Sequence, residues 1–103
     1  MEDSMYQRLE AATKRLKEID EELVSEDVMK DIAHFREISK ERAYLDPQVE
    51  AFQRYQKNEN EIKDAKIMAH DSDPELAEMG KEEIKRLEAE QEQLIEDLKE
   101  MLL

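Results

Sequence analysis

The amino-acid sequence predicts an all-α protein, an elongated antiparallel helical bundle or hairpin of three to four helices. Apolar residues return every three or four positions along most of the chain, which is the spacing of one helix face. The abundant residues, Glu, Lys, Leu, Ala, Ile and Met, are mostly good helix formers. One glycine and two prolines among 103 residues leave little material for tight turns. We therefore expect long helices joined by short loops.

The first helix is predicted at about residues 4–24. Ser4, followed three positions later by Gln7, has the form of a capping box. Residues 24–27 are a turn candidate, and we expect Ser25 or Asp27 to cap the next helix. The apolar stripe of the first helix consists of Met5, Leu9, Ala12, Leu16, Ile19 and Leu23.

A second stripe runs through two predicted helices, at about residues 27–45 and 47–69. Asp46-Pro47 combines a capping residue with a proline at the first helical position, which favours a new helix start or a kink at Pro47. The stripe keeps its phase on both sides, with Arg42 and Glu59 as polar interruptions. Its members are Val28, Ile32, Phe35, Ile38, Leu45, Val49, Phe52, Tyr55, Ile62 and Ala65.

The last helix is predicted at about residues 73–102. It follows the clearest loop, residues 69–72, and Asp73-Pro74 repeats the combination of cap and proline. Such a helix would be about 46 Å long at 1.5 Å per residue, too long to bury its stripe inside a compact globule of this size. Its heptad-like stripe consists of Leu76, Gly80, Ile84, Leu87, Gln91, Leu94, Leu98 and Met101, with Gln91 as the polar position.

Charge and composition restrict the classes of partner. The net charge is −13, so phosphate backbones repel the chain and direct nucleic-acid binding is not expected. Basic protein surfaces are the natural partners, although the same charge could serve only to keep a small helical protein soluble. The sequence has no cysteine, no apolar run that could cross a membrane, and no signal-peptide pattern at its acidic start. We expect a cytoplasmic protein.

The residues that could carry chemistry form no recognisable catalytic, cofactor-binding or metal site. His34 and His70 lie on different segments, without a His/Glu motif of ligand spacing, and we expect them at a helix boundary and in a solvated loop. Carboxylate pairs such as Glu21-Glu22 are expected on solvated helix faces, where they are not placed for acid–base catalysis. Because Gly80 is the only glycine, a phosphate-binding glycine loop cannot form. The sequence predicts a binding module without an active site of its own.

Three segments carry a family resemblance. They are residues 8–11 (Arg-Leu-Glu-Ala), residues 35–43 (Phe-Arg-Glu-Ile-Ser-Lys-Glu-Arg-Ala) and residues 73–79 (Asp-Pro-Glu-Leu-Ala-Glu-Met). In this order and separation, the chain resembles the N-terminal domain of a bacterial class I peptide chain release factor, type 1, which reads UAA and UAG. The likeness extends over essentially residues 1–103, so we expect one helical domain of a longer protein. A stand-alone acidic coiled-coil scaffold that dimerises through its heptad stripe is the alternative.

The resemblance implies a role in translation termination, but the family's two acting motifs are missing. The family promotes peptidyl-tRNA hydrolysis through a Gly-Gly-Gln loop, which a chain with a single glycine cannot contain. It reads the stop codon through a Pro-x-Thr loop, yet Thr13, the only threonine, precedes both prolines. The resemblance implies a ribosome-facing arm near the GTPase-associated region of the large subunit and the class II release GTPase. We expect a monomer with at most weak self-association. The exposed acids suggested as contact residues are Glu82, Glu83, Glu90 and Glu96.

Overall fold

The fold is all-α, as predicted. The computed structural model describes residues 1–103 and contains three α-helices and one short 3-10 helix. The chain divides into two compact units, unit 1 (Met1–Glu50) and unit 2 (Ala51–Leu103), and α2 contributes to both. The elements are α1 (Asp3–Leu23), the 3-10 helix (Val28–Lys30), α2 (Ile32–Ala69) and α3 (Pro74–Met101).

Of the two alternatives predicted at Asp46-Pro47, a new helix start is wrong, because α2 runs through Pro47 as one helix of 38 residues. A kink at Pro47 stays a prediction. Apolar burial explains the continuity: Leu45 and Val49 are buried on either side of the proline, in the same stripe. Pro47 itself is exposed. Its missing N–H costs one helical hydrogen bond. The unbroken spacing of the apolar stripe on both sides of Pro47 therefore predicted the continuity of the helix better than the presence of the proline did.

The two predicted N-caps before Pro47 are also wrong. The first helix begins at Asp3, and neither its cap residue, Glu2, nor Ser4 makes the expected capping box. The second helix begins at Ile32 and not near residue 27, because residues 24–31 hold the 3-10 helix. Asp31 caps α2, since its Oδ1 accepts from the His34 backbone N–H at 3.0 Å. Ser25 instead closes the end of α1, donating from Oγ to the Glu22 carbonyl at 2.7 Å.

Unit 1 pairs α1 with the first part of α2 in antiparallel fashion. The direction follows from two side-chain contacts, Arg15 with Glu41 and Glu22 with His34. The later residue of α1 contacts the earlier residue of α2, so the two helices run in opposite directions. The helices enclose one apolar cluster, against which Leu23 and Val28 pack. The buried members of this cluster are Ala12, Leu16, Ile19, Ile38, Leu45 and Val49.

Unit 2 pairs the second part of α2 with α3, again antiparallel. Leu87 is completely buried and packs with Ile62 and Ala65, with Ile84 alongside. The central part of the heptad-like stripe of α3 therefore packs against α2 of the same chain. Its ends are open, because Leu76 and Met101 remain 39% and 36% exposed.

The turn between α2 and α3 is formed as the sequence predicted. Asp73 caps α3 by accepting from the Glu75 backbone N–H at 2.9 Å, and Pro74 occupies the first turn. Gly80 lies against the end of α2 so closely that a Cβ there would stand 2.4 Å from the Ala69 nitrogen. Glycine is needed at this position for the close approach of two backbones.

Candidate interaction surface

His34 lies at the start of α2, half-buried, where it joins the two helices of unit 1. Its Nε2–H donates to the Glu22 carboxylate on α1. This hydrogen bond and the attraction of the same carboxylate raise the pKa of the His34 imidazole above its usual value, and Asp31 and Glu37 act in the same direction. The position at a helix boundary was predicted, but the partner was not.

His70 is exposed after the end of α2, as predicted. Its Nδ1 lies 2.8 Å from the Lys66 carbonyl and must donate, since a carbonyl only accepts. No group of three His, Cys, Asp or Glu side chains is placed to hold a metal ion. The two histidines thus serve local hydrogen bonding.

The four acids suggested as contact residues differ in their surroundings. Glu83 binds Arg86, and Glu96 lies 3.3 Å from the Lys99 Nζ. Glu90 is the least exposed, with Arg54 at 2.5 Å and Arg86 at 3.7 Å. Only Glu82 is exposed and without an ion pair. Their contact role stays a prediction, but three of the four carboxylates already have partners within the chain.

The helices of unit 1 are fastened by ion pairs between α1 and α2. Arg15 binds Glu41 through two parallel bonds of 2.7 and 2.8 Å, a geometry that only a guanidinium offers a carboxylate. The hydrogen bond from Arg15 lowers the pKa of Glu41. Arg42, predicted as a polar interruption of the stripe, donates to Asp20 at 2.7 Å. These acids balance local cations and are poorly available to a partner.

Unit 2 has one buried polar contact that the sequence reasoning missed. Asn58, not Glu59, points into the unit: it is 0% exposed and donates from Nδ2 to the Leu87 carbonyl at 2.9 Å. Its Oδ1 is buried without a partner. The spacing contained the signal, because residue 58 lies three positions after Tyr55 and four before Ile62, both buried.

Large apolar side chains are exposed around both turns, which was also not foreseen. The α1–α2 tip, residues 24–32, exposes Val24, Met29 and Ile32. The α2–α3 tip, residues 67–79, exposes Ile67, Met68, Leu76 and Met79. Exposed apolar side chains grouped in one place mark interaction sites more often than isolated ones do. A membrane-spanning helix would need a longer and more apolar stretch than α1, α2 or α3 contains.

Comparisons with known proteins identify the family. The PCRF domain family matches residues 12–103. Peptide chain release factor 1 of Geobacillus kaustophilus is 40% identical over 96% of this chain, and that of Mycoplasma capricolum is 40% identical over the whole chain. Peptide chain release factor 1 of Treponema denticola is 37% identical over 96% of the chain. The chain spans 28–29% of the length of these relatives. No solved structure matches it.

These matches confirm the resemblance drawn from residues 8–11, 35–43 and 73–79. They cover nearly the whole chain, including all of unit 2 and most of unit 1. The relatives share one name, and the match in each is to little more than a quarter of the protein. The chain therefore belongs to the PCRF domain family, and it is similar to the N-terminal domain of peptide chain release factor 1.

Proposed function

We propose that this chain is the N-terminal domain of a release factor of type 1, which directs translation termination at UAA and UAG codons in the cytoplasm. The observation that carries the proposal is 40% identity, over 96% or more of this chain, to proteins named peptide chain release factor 1. Residues 1–103 act as one functional domain of a longer protein, and both compact units belong to it.

Within that protein the chain acts as a non-catalytic arm that contacts the ribosome. The absence of Gly-Gly-Gln and Pro-x-Thr supports this role, since hydrolysis and codon reading would reside elsewhere in the protein. A net charge of −13 favours basic protein partners over ribosomal RNA. The partners we propose are the GTPase-associated region of the large subunit and the class II release GTPase.

A chimera tests the proposal. The segment of Geobacillus kaustophilus peptide chain release factor 1 that matches this chain is replaced by residues 1–103, and peptide release is measured on ribosomes stalled at UAA, UAG or UGA. We expect release at UAA and UAG near the level of the unaltered factor, and none from the 103-residue chain alone. A folded chimera without release activity, or a chain that releases peptide by itself, would contradict the proposal.

A further inference from the structure

We propose that the α2–α3 tip, residues 67–79, is a preformed docking surface for a protein with an apolar centre and a basic rim. The inference rests on the proposed function and adds to it the residues through which the arm makes contact. Four large apolar side chains lie exposed within thirteen residues: Ile67 at 74%, Met79 at 57%, Leu76 at 39% and Met68 at 37%.

The charge of this tip selects the chemistry of the partner. Residues 67–79 contain four carboxylates, Asp71, Asp73, Glu75 and Glu78, and no Lys or Arg. Glu75 and Glu78 form no ion pair, so their charge is not balanced within the chain. RNA is disfavoured by these carboxylates, and a second copy of the chain would bring like charges together. A basic protein surface is the complementary occupant.

The tip is also held in one conformation before any partner binds. Asp73 caps α3, and the Asp71 carboxylate accepts from the Asp73 backbone N–H at 2.8 Å. Gly80 fixes the distance between the two helices just behind the turn. A surface that is already ordered loses little conformational entropy on binding, and the two methionines can adapt to the shape of the partner.

The α1–α2 tip provides the internal comparison. It also exposes apolar side chains, with Val24 at 84% and Met29 at 56%. Its only cation, Lys30, is paired with Asp27 at 2.8 Å. No side chain caps the 3-10 helix within it. Exposure alone is therefore similar at the two tips. Side chains also order the α1–α2 tip, since Asp31 caps α2 and Ser25 donates to the Glu22 carbonyl. The tips therefore differ in charge: residues 24–32 contain three carboxylates and Lys30, against four carboxylates and no Lys or Arg in residues 67–79.

The test uses the chimera with the full 103-residue chain and compares matched variants of the two tips. Leu76→Ser with Met79→Ser removes apolar contact, and Glu75→Lys with Glu78→Lys reverses the charge. Val24→Ser with Met29→Ser is the control. We expect each tip pair to raise the KM for ribosomes about tenfold or more, because anchors of an interface dominate its affinity, with kcat unchanged. The control should leave both constants unaltered, and circular dichroism should show all variants folded.

A photoreactive side chain at position 79 of the active chimera identifies the class of partner, with the same group at position 24 as control. We expect cross-links from position 79 to a basic ribosomal protein. Cross-links to RNA or to a second copy would overturn the inference, as would tip variants with the KM of the unaltered chimera. In those cases release by the unaltered chimera still supports the proposed function. A chimera without release activity would remove both.

Discussion

Unit 1 and unit 2 are both antiparallel helix pairs, yet their helices are joined by different contacts. In unit 1, Arg15–Glu41, Arg42–Asp20 and His34–Glu22 bridge the helices at half-exposed positions. In unit 2, a buried amide, Asn58, and a close backbone approach at Gly80 do so, supplemented by Arg54–Glu90. Exposed ion pairs contribute little free energy and depend on salt and pH, whereas buried polar and steric contacts tolerate little change. The comparison predicts that unit 2 responds strongly to substitution, and unit 1 to solution conditions.

The largest expected effect is that of Asn58→Asp in unit 2. The carboxylate would be buried opposite the Leu87 carbonyl oxygen, without a donor. An unpaired buried charge costs about 3–5 kcal/mol of the free energy of unfolding, measured by urea denaturation near neutral pH. Burial raises the pKa of such a carboxyl, so the loss should shrink as pH falls. Asn60→Asp, at an exposed position, is the control. An equal response of both variants would show that Asn58 is not buried in solution.

Leu87→Ala should cost about 2–5 kcal/mol, because it leaves a cavity against Ile62 and Ala65. Leu76→Ala makes the same chemical change at a position that is 39% exposed, and we expect a much smaller loss. Hydrogen exchange should show the protection lost by Leu87→Ala mainly in residues 51–103. A loss below about 0.5 kcal/mol, typical of surface substitutions, would contradict the packing of unit 2.

Gly80→Ala tests the close approach at the α2–α3 turn. In an open helix the change would stabilise by about 1 kcal/mol. Here the new Cβ would meet backbone atoms of Met68 and Ala69 at 2.8 Å or less, which a side-chain rotation cannot relieve. We expect a net destabilisation of about 1–3 kcal/mol, as for overpacked cores. Lys81→Ala at the next, exposed position is the control, and a more stable Gly80→Ala protein would refute the close approach.

The amino-acid sequence predicted some of these features and not others. The stripes predicted the all-α fold, because every predicted position of α2 from Ile38 to Ala65 is buried. The buried Asn58 was hidden by its polarity, although its spacing placed it in the stripe. The cap of α2 at Asp31 was missed because several Asp and Ser residues precede the helix, and only the chain path in residues 24–31 selects among them. The apolar tips could not be predicted from the sequence. Whether Met29 or Met79 is exposed depends on whether another helix packs over it in the folded chain.

The Arg15–Glu41 pair should show the sensitivity of unit 1 to salt. A double-mutant cycle with Arg15→Gln and Glu41→Gln should give a favourable coupling at low salt that declines in about 1 M NaCl, where the Debye length is about 3 Å. Because the pKa of Glu41 is lowered in the folded state, the contribution should also disappear as pH falls through that pKa. Arg86 with Glu83, within one helix of unit 2, is the matched pair for comparison. If the coupling free energy of Arg15 with Glu41 were no larger than that of Arg86 with Glu83, the predicted greater salt sensitivity of unit 1 would be wrong.

The smallest effect expected is that of pH on the His34–Glu22 contact. The pKa of His34 is higher in the folded chain than its ordinary value of 6.5, so the folded state binds the proton more tightly. The stabilisation is therefore complete below about pH 6.5 and is lost as pH rises through the folded pKa.

His34→Gln keeps a donor but cannot take up a proton, so its unfolding temperature should lose this part of the pH dependence. His70→Gln is the control, since His70 contacts only the Lys66 carbonyl. The chemical shift of the His34 ring proton gives the folded pKa directly. A value at or below 6.5, or equal pH slopes for the two variants, would show that the contact with Glu22 does not persist in solution. Unit 1 would then depend on Arg15 and Arg42 alone for its charged contacts between helices.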